Sequence, residues 1–310
     1  MAEINLGDVS SSKEPIISQP VKEQKTAEKI DRQGMSKEET LDPEKIRVEI
    51  ADYRTPLVVL FGPQSSGKTM TLVRLTRYLW KQGLSVKPVA SFRPAYDTHY
   101  KELCDHFDSM ILNEDAALST DRIKFMLVQV LKNGHPLCQI LEAPGESYFS
   151  PDPNHWKDAF PQYVNNIMSK QNRKIYLIIV EPASTNSSMT TKARCMYAQK
   201  IKEQLKPCIN PHDRVLFVYN KIDKTPFVIM PGKVNMGEAF RDVENHYQNV
   251  FVPFRNENPI TRFWKKYNCD MIPFQTGYFN KAADGTYTFQ EGPDVYPRQL
   301  WNKIMRLVRG

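Results

Sequence analysis

Pro56-Leu57-Val58-Val59-Leu60-Phe61 is a short apolar run that leads directly into Gly62-Pro63-Gln64-Ser65-Ser66-Gly67-Lys68-Thr69. The run has the length and composition of a buried strand. The eight residues after it carry the G-x-x-x-x-G-K-[ST] spacing of a phosphate-binding P-loop. From Met70 to Trp80 apolar residues return every three or four positions until Gly83, which predicts an amphipathic helix. In that setting the residue types have a physical meaning. Gly62 and Gly67 let the main chain approach a polyphosphate, and successive N–H groups, those of Ser65 and Ser66 among them, cradle it. The helix that begins near Lys68 turns its positive end toward the same anion. The Lys68 ammonium is expected to reach the outer phosphates, and the Thr69 hydroxyl to hold Mg²⁺.

The 310 residues suffice for one large domain or two small ones, and 41% hydrophobic with 25% charged residues is ordinary for a soluble globular protein. No apolar run reaches the length of a membrane span, and neither end carries a signal or lipidation motif. Five dispersed cysteines without a C-x-x-C pair fit reduced thiols in a cytoplasm. Residues 1–50 hold 11 acidic and 8 basic side chains, a net of −3, so with +7 for the whole chain the rest carries +10. A basic body suits polyanions (nucleotides, nucleic acid or anionic lipid) and does not choose among them.

Residues 1–50 are polar and short of aromatics, which predicts a disordered N-terminal arm with a transient helix between Ser36 and Ile46. Residues 51–310 then read as one α/β domain. Strands are expected at 56–61, 85–91, 136–141, 174–181, 214–219 and 269–274, with Pro88 demoting the second toward an edge. Helices are expected from Ser119 or Thr120 to Leu131, ended by Gly134, and at 156–168, 188–205 and 297–308. A helical insertion is expected near 224–268, with one or two helices between 236 and 267. Asp284-Gly285 reads as the turn of a hairpin near 277–290. Strands alternating with helices predict a mainly parallel central sheet covered on both faces.

In such a sheet ligands bind at the carboxyl ends of the strands, where three polar motifs fall. The P-loop is one, Glu142-Ala143-Pro144-Gly145-Glu146 the second, and Asn220-Lys221-Ile222-Asp223 the third. The last fits N-K-x-D, a guanine-reading box. A carboxylate at Asp223 can accept from both N1–H and the N2 amino group of guanine, a donor pair that adenine lacks. Asn220 is expected to brace the loop and the Lys221 stem to lie over the base. Taken alone, the tetrapeptide is also a plain helix cap after a strand.

With these three motifs the chain resembles the P-loop GTPases of the translation-factor and Ras-like class, over roughly residues 55–280. The resemblance implies GTP/GDP and Mg²⁺ as ligands. Glu142-Ala143-Pro144-Gly145 is similar to that class's D-x-P-G box, which implies that Gly145 N–H contacts the γ-phosphate and residue 142 serves the metal. Here Glu stands where the family has Asp. Glu146 occupies the position of the water-orienting Gln, and an anionic side chain beside an anionic γ-phosphate is a poor substitute. Gln64-Ser65-Ser66 resembles the loop of dynamin-like GTPases, which makes Gln64 a candidate catalytic contact. Gln275-Thr276-Gly277 takes the place of the base-capping loop. Thr98 and Thr120 are the candidates for the family's mobile threonine, and Arg93 for a charge supplied in cis.

Two further groupings stand apart from these motifs. His99, Cys104 and His106 lie close in sequence but lack a fourth ligand and regular zinc spacing. Residues 251–267 interleave aromatics with Arg and Lys, a pattern that fits nucleic acid or, more simply, a helix with aromatics inward and charges outward. The reading that follows is a cytoplasmic GTP-binding molecular switch with slow Mg²⁺-dependent hydrolysis, meeting a protein partner through residues near 92–119 and 143–160. The alternatives are a hydrolysis-deficient GTP-binding scaffold and an ATP-using P-loop kinase or ATPase.

Overall fold

Strand β1 (Leu57–Phe61) is buried at every position, because it lies at the centre of a seven-stranded sheet with neighbours on both sides. The computed structural model describes residues 38–39, 42–112, 125–183, 189–281 and 287–310. In chain order the elements are α1 (Lys68–Lys81), β2 (Ser85–Pro88), α2 (Thr98–Asp105), α3 (Phe107–Leu112), β3 (Met126–Lys132), β4 (His135–Glu142) and α4 (Gly145–Tyr148). Then follow α5 (Gln162–Ser169), β5 (Lys174–Val180), α6 (Thr191–Lys200), β6 (Arg214–Tyr219), β7 (Val228–Met230), β8 (Lys233–Val234) and α7 (Met236–His246). The chain closes with α8 (Pro259–Trp264), β9 (Asp270–Pro273), β10 (Gly277–Lys281), β11 (Tyr287–Glu291) and α9 (Val295–Arg309).

The strand order is β2-β3-β4-β1-β5-β6-β9. All lateral pairings from β4 through β9 are parallel, and β3 alone runs against its neighbours. The chain first steps from β1 toward β4, then crosses back to β5 and on to β6 and β9. Right-handed crossovers in opposite directions put their helices on opposite faces, so α1 lies on one face and α5, α6 and α7 on the other. Helix α9 returns to the first face, against α1 and β5. On the second face Phe61 packs its ring on Tyr148, Phe160 and Tyr197. The reversal of direction leaves a crevice beside the carboxyl end of β1, which is where an open α/β sheet binds its ligands.

The expected α/β architecture is the one observed, with local differences. The helix expected to end at Gly134 is strand β3, paired antiparallel with β4 from Met126↔Glu142 to Lys132↔His135. Asn133 and Gly134 both take positive φ, 51° and 79°, the two-residue turn that an Asn-Gly pair favours. A strand covered on both faces is apolar almost throughout, and Met126-Leu127-Val128-Gln129-Val130-Leu131 therefore imitates helical spacing. The Ser119 and Thr120 start lies outside the described residues. Strand β2 is an edge strand ending at Pro88, as its proline requires. The helix expected at 156–168 begins only at Gln162, because Trp156 instead stacks on Phe149 with ring centroids 5.8 Å apart. The helix expected at 188–205 starts at Thr191, capped by Thr190, and widens into a π-turn over Ile201–Leu205. Helix α7 is the crossover from β6 to β9. β10 and β11 pair antiparallel, while the Asp284-Gly285 turn lies outside the described residues.

Residues 42–50, assigned from sequence to the arm, lie against the domain. Ile46 and Ile50 are buried, Glu49 N donates to Phe92 O at 2.9 Å, and Gln162 N donates to the Glu44 carboxylate. Arg93 locks this segment down by ion pairs to Glu39 at 2.6 Å and Asp97 at 2.8 Å and by donating to Arg47 O. It is a buried anchor, and neither a surface residue nor a charge offered to the cavity.

Candidate nucleotide site

Each strand that ends at the crevice delivers one motif to it. After β1 the chain turns with Ser65 at φ 63° and Gly67 at φ 88°, two left-handed residues in three, before α1 begins at Lys68. That alternation turns successive amides toward one concavity, the arrangement that binds anions. No side chain caps the N-terminus of α1. Gly67 also has no room for a side chain, since a Cβ there would lie 2.3 Å from Asn220 Nδ2.

Asn220, at the end of β6, ties the third motif to the first. Its Nδ2 donates to Ser66 O at 2.9 Å, and its Oδ1 accepts from Lys221 N at 2.9 Å. Lys221 Nζ donates to Ser65 O at 3.1 Å and pairs with the Glu181 carboxylate at the end of β5. Asp223 follows in a short 3₁₀ turn over Ile222–Lys224 and lines the cavity, with Lys224 Nζ at 3.6 Å from its carboxylate. Asn220 is the residue expected to brace the loop, and its amide joins Ser66 O to Lys221 N. Lys221 additionally has an acidic partner, Glu181, which the sequence reading did not single out.

The second motif closes the opposite side. Glu142 ends β4 deep in the crevice, where Thr69 Oγ1 donates to its Oε1 at 2.9 Å. Burial pushes the Glu142 carboxyl up to about 8, although nearby Lys68 and the Thr69 hydroxyl pull it down, and Glu146 adds to the rise. Its Oε2 is buried with no hydrogen-bond partner among the described residues. A buried carboxyl oxygen without a partner, beside a threonine hydroxyl, is a hard-oxygen pair that would suit Mg²⁺, whose charge would favour the deprotonated form. Gly145 presses on the P-loop: a Cβ there would lie 2.3 Å from Gln64 N and 2.5 Å from Pro63 C.

These residues wall a cavity of about 520 Å³, large enough for a nucleotide. Gln64, Ser65, Gly67, Lys68, Thr69, Glu142, Gly145, Glu146, Asn220, Lys221 and Asp223 all line it. Gly62 and Ser66 stand behind the wall, where Ser66 Oγ donates to Pro63 O and steadies the loop. Beyond β9, Thr276 and Gly277 of the stretch expected to cap a base line the cavity together with Phe279, whereas Gln275 does not. Phe279 was not anticipated, because only the β10–β11 pairing carries it there. That hairpin is latched to α1: Arg74 is wholly buried, pairs with Glu291 at 3.0 Å and with Asp294, and donates to Gly292 O.

Other candidates fall elsewhere. Thr98 opens α2 and is not among the cavity residues, and Thr120 lies outside the described residues. His99, Cys104 and His106 form no metal cluster: among the described residues no group of three potential ligands converges. Within 251–267, Phe251, Phe254 and Tyr267 are buried as a core pattern requires, whereas Phe263 and Trp264 are exposed. No helix of the described residues is long and apolar enough to cross a membrane.

No protein-family model matches the sequence, and no curated protein matches it. Solved structures with a similar chain path include a putative nucleolar GTP-binding protein 1 from Plasmodium falciparum, at 13% identity and TM-score 0.44, over 85% of this chain and 90% of that one. A second is the signal recognition particle receptor SRb-GTP/SRX complex from Chaetomium thermophilum, at 11% identity and TM-score 0.40, over 81% and 98%. A third is the S. cerevisiae Ski7 GTPase-like domain bound to GDP and inorganic phosphate, at 12% identity and TM-score 0.37, over 88% of this chain and 52% of that one.

Proposed function

We propose that the chain binds GTP and GDP with Mg²⁺ and acts as a molecular switch that hydrolyses GTP slowly. The observation that supports this most is the joining of Asp223 to the P-loop in one cavity through the Asn220–Ser66 hydrogen bond. A base-reading carboxylate held rigidly to a phosphate-binding loop measures one nucleoside triphosphate as a unit. Adenine would leave the Asp223 carboxylate without its two donors, at a cost that favours guanine.

In this reading the loop amides and Lys68 hold the phosphates, while Thr69 and Glu142 hold the metal. Bound Mg²⁺ supplies neutralisation of charge on the phosphate oxygens. Gln64 and Glu146 stand at the cavity wall as the side chains closest in role to water positioning. Slow turnover follows from two departures: Glu142 is one methylene longer than the family's Asp, and Glu146 sets a negative charge where a neutral amide would serve. Residues near 92–119 and 143–160 are proposed to change order with the γ-phosphate and so present a surface to a protein partner. Five free thiols fit a reducing cytoplasm.

Single-turnover hydrolysis with radiolabelled GTP tests the rate. The expected constant is about 10⁻² per second or slower, as for unassisted switches, and several turnovers per second without a partner would refute this account of the site. The two unfavourable carboxylates also support the hydrolysis-deficient scaffold, which differs in releasing no phosphate even when partners are added. An ATP-using kinase or ATPase requires Asp223 to be irrelevant to nucleotide choice.

A further inference from the structure

Between Phe254 and Asn268 the chain leaves the sheet layers and returns as a projection whose two ends are joined. Its neck is closed by the Arg255↔Tyr267 bridge, by Asn256 N donating to Lys266 O at 3.0 Å and by Asn268 N donating to Phe254 O at 2.6 Å. Buried Phe251, Phe254 and Tyr267 root it in the core, where Phe251 stacks on Phe240 at 4.3 Å. Asn258 Oδ1 accepts from Ile260 N and Thr261 N and so fixes the start of α8. What this scaffold presents is apolar: Ile260, Phe263 and Trp264 are 77%, 83% and 85% exposed. Large side chains held out in water by an ordered neck signal an interaction surface.

We propose that the α8 projection docks this protein on anionic membrane surfaces. Charge around the tip selects that partner. Within residues 255–267, Arg255, Arg262, Lys265 and Lys266 stand against one acid, Glu257. Lys265 pairs with the part-buried Asp270 at 3.7 Å and Lys266 with the part-buried Glu244 at 3.5 Å, so the field at the tip rests mainly on Arg255 and Arg262, for which no ion pair is formed among the described residues. An aliphatic and two aromatic side chains flanked by cations match the interface of a negatively charged bilayer, where Trp settles and each cation gains from the surface potential. A second copy of the chain would bring like charges together. Single-stranded nucleic acid fits less well, because Phe263 and Trp264 meet edge to face at 85° and 5.3 Å and offer no parallel pair of faces for stacking bases. The projection enters β9 at Asp270, which pairs with Leu216 near the start of β6. It therefore emerges at the amino ends of the parallel strands, and docking there leaves the cavity at the carboxyl ends open.

The test uses the full chain with vesicles of phosphatidylcholine, with and without phosphatidylserine, read by co-sedimentation and by tryptophan emission. Trp264 is the one strongly exposed tryptophan, since Trp156 and Trp301 are buried and Trp80 packs against the core. The expected result is binding that needs phosphatidylserine, weakens with salt and shifts the emission to the blue. A Phe263→Ala/Trp264→Ala double variant should lose at least about tenfold in vesicle affinity. An Arg255→Glu/Arg262→Glu variant should lose about twentyfold or more, at about fivefold per cation removed. Arg255, Phe263 and Trp264 are exposed and Arg262 is partly so, and none lines the cavity, so melting temperature should change little and nucleotide affinity should stay unchanged. No vesicle binding, equal binding to neutral vesicles, binding indifferent to both variants, or binding to a single-stranded oligonucleotide instead of vesicles would each overturn the proposal.

Discussion

Replacing Gly145 by alanine adds one methyl group at the point where the second motif touches the P-loop. The added Cβ would sit 2.3 Å from Gln64 N, 2.5 Å from Pro63 C and 2.6 Å from Gln64 Cα, all main-chain atoms that no rotamer change can move aside. Ordinary contact begins near 3.4 Å, so α4 and the loop must part by about 1 Å. Overpacking of this kind costs about 2–3 kcal/mol. In a domain of this size that lowers the melting temperature by about 5–10 °C. Gly145 does not adopt positive φ, so the loss comes from the contact and not from backbone strain. The separation also moves the Gly145 amide, and GTP should therefore weaken by about tenfold or more while GDP changes by less than about threefold. Gly237→Ala is the control: its Cβ would meet only Asn235 Oδ1 at 3.5 Å within the first turn of α7, and it should be neutral or slightly stabilising. Differential scanning fluorimetry with fluorescent GTP and GDP titrations reads both effects. A Gly145→Ala protein that melts like the wild type, or that loses GTP and GDP equally, would refute the close approach as a γ-phosphate contact.

Three further outcomes follow from the same geometry. Arg74→Met leaves Glu291 and Asp294 without their buried partner and should cost about 3 kcal/mol at neutral pH by chemical denaturation, the lower end for breaking a buried pair whose acids keep some water. Burial alone would raise Glu291, but Lys81, Arg74 and Arg77 outweigh it, and the Arg74 hydrogen bond lowers Asp294. Carboxyls held below their unfolded values stabilise fully above about pH 4.5 and lose that contribution as pH falls through the folded values, so acid should erase most of the difference between Arg74→Met and wild type. A difference that persists unchanged at pH 2–3 would contradict this assignment. Glu181→Ala removes the partner that holds Lys221 over the loop and should weaken GTP by about fivefold, with a modest fall in melting temperature, because Glu181 is buried while the Lys221 side chain is partly solvated. Unchanged affinity would show that Ser65 O alone positions Lys221.

Much of the candidate site was legible because the residues that line its cavity come in contiguous motifs. The P-loop needs its glycines within six positions, and Asn220 to Asp223 act through a single turn. Parallel strands also place such turns at one end of the sheet without further information. What stayed hidden depends on distant pairings. Glu181 reads as the polar end of an apolar strand until Lys221 of the neighbouring strand is set beside it. Phe279 reaches the cavity only through a hairpin latched by Arg74, more than 200 residues earlier. Strand β3 was hidden for another reason, since burial on both faces removes the alternation that marks a strand, and only Asn133-Gly134 announced the hairpin. Arg93 and residues 42–50 show the same dependence: Ile46 and Ile50 are too few to predict docking from a polar segment, yet one arginine with Glu39 and Asp97 suffices to fasten it.

The measurement that bears most directly on the central claim is equilibrium binding of fluorescent GTP, GDP and ATP analogues with Mg²⁺ to wild type and to Asp223→Ala. The account predicts that wild type prefers guanine nucleotides over ATP by about a hundredfold or more, and that Asp223→Ala abolishes most of that preference while ATP affinity changes little. Equal competition by ATP on the wild-type protein, or a guanine preference that survives the substitution, would contradict it.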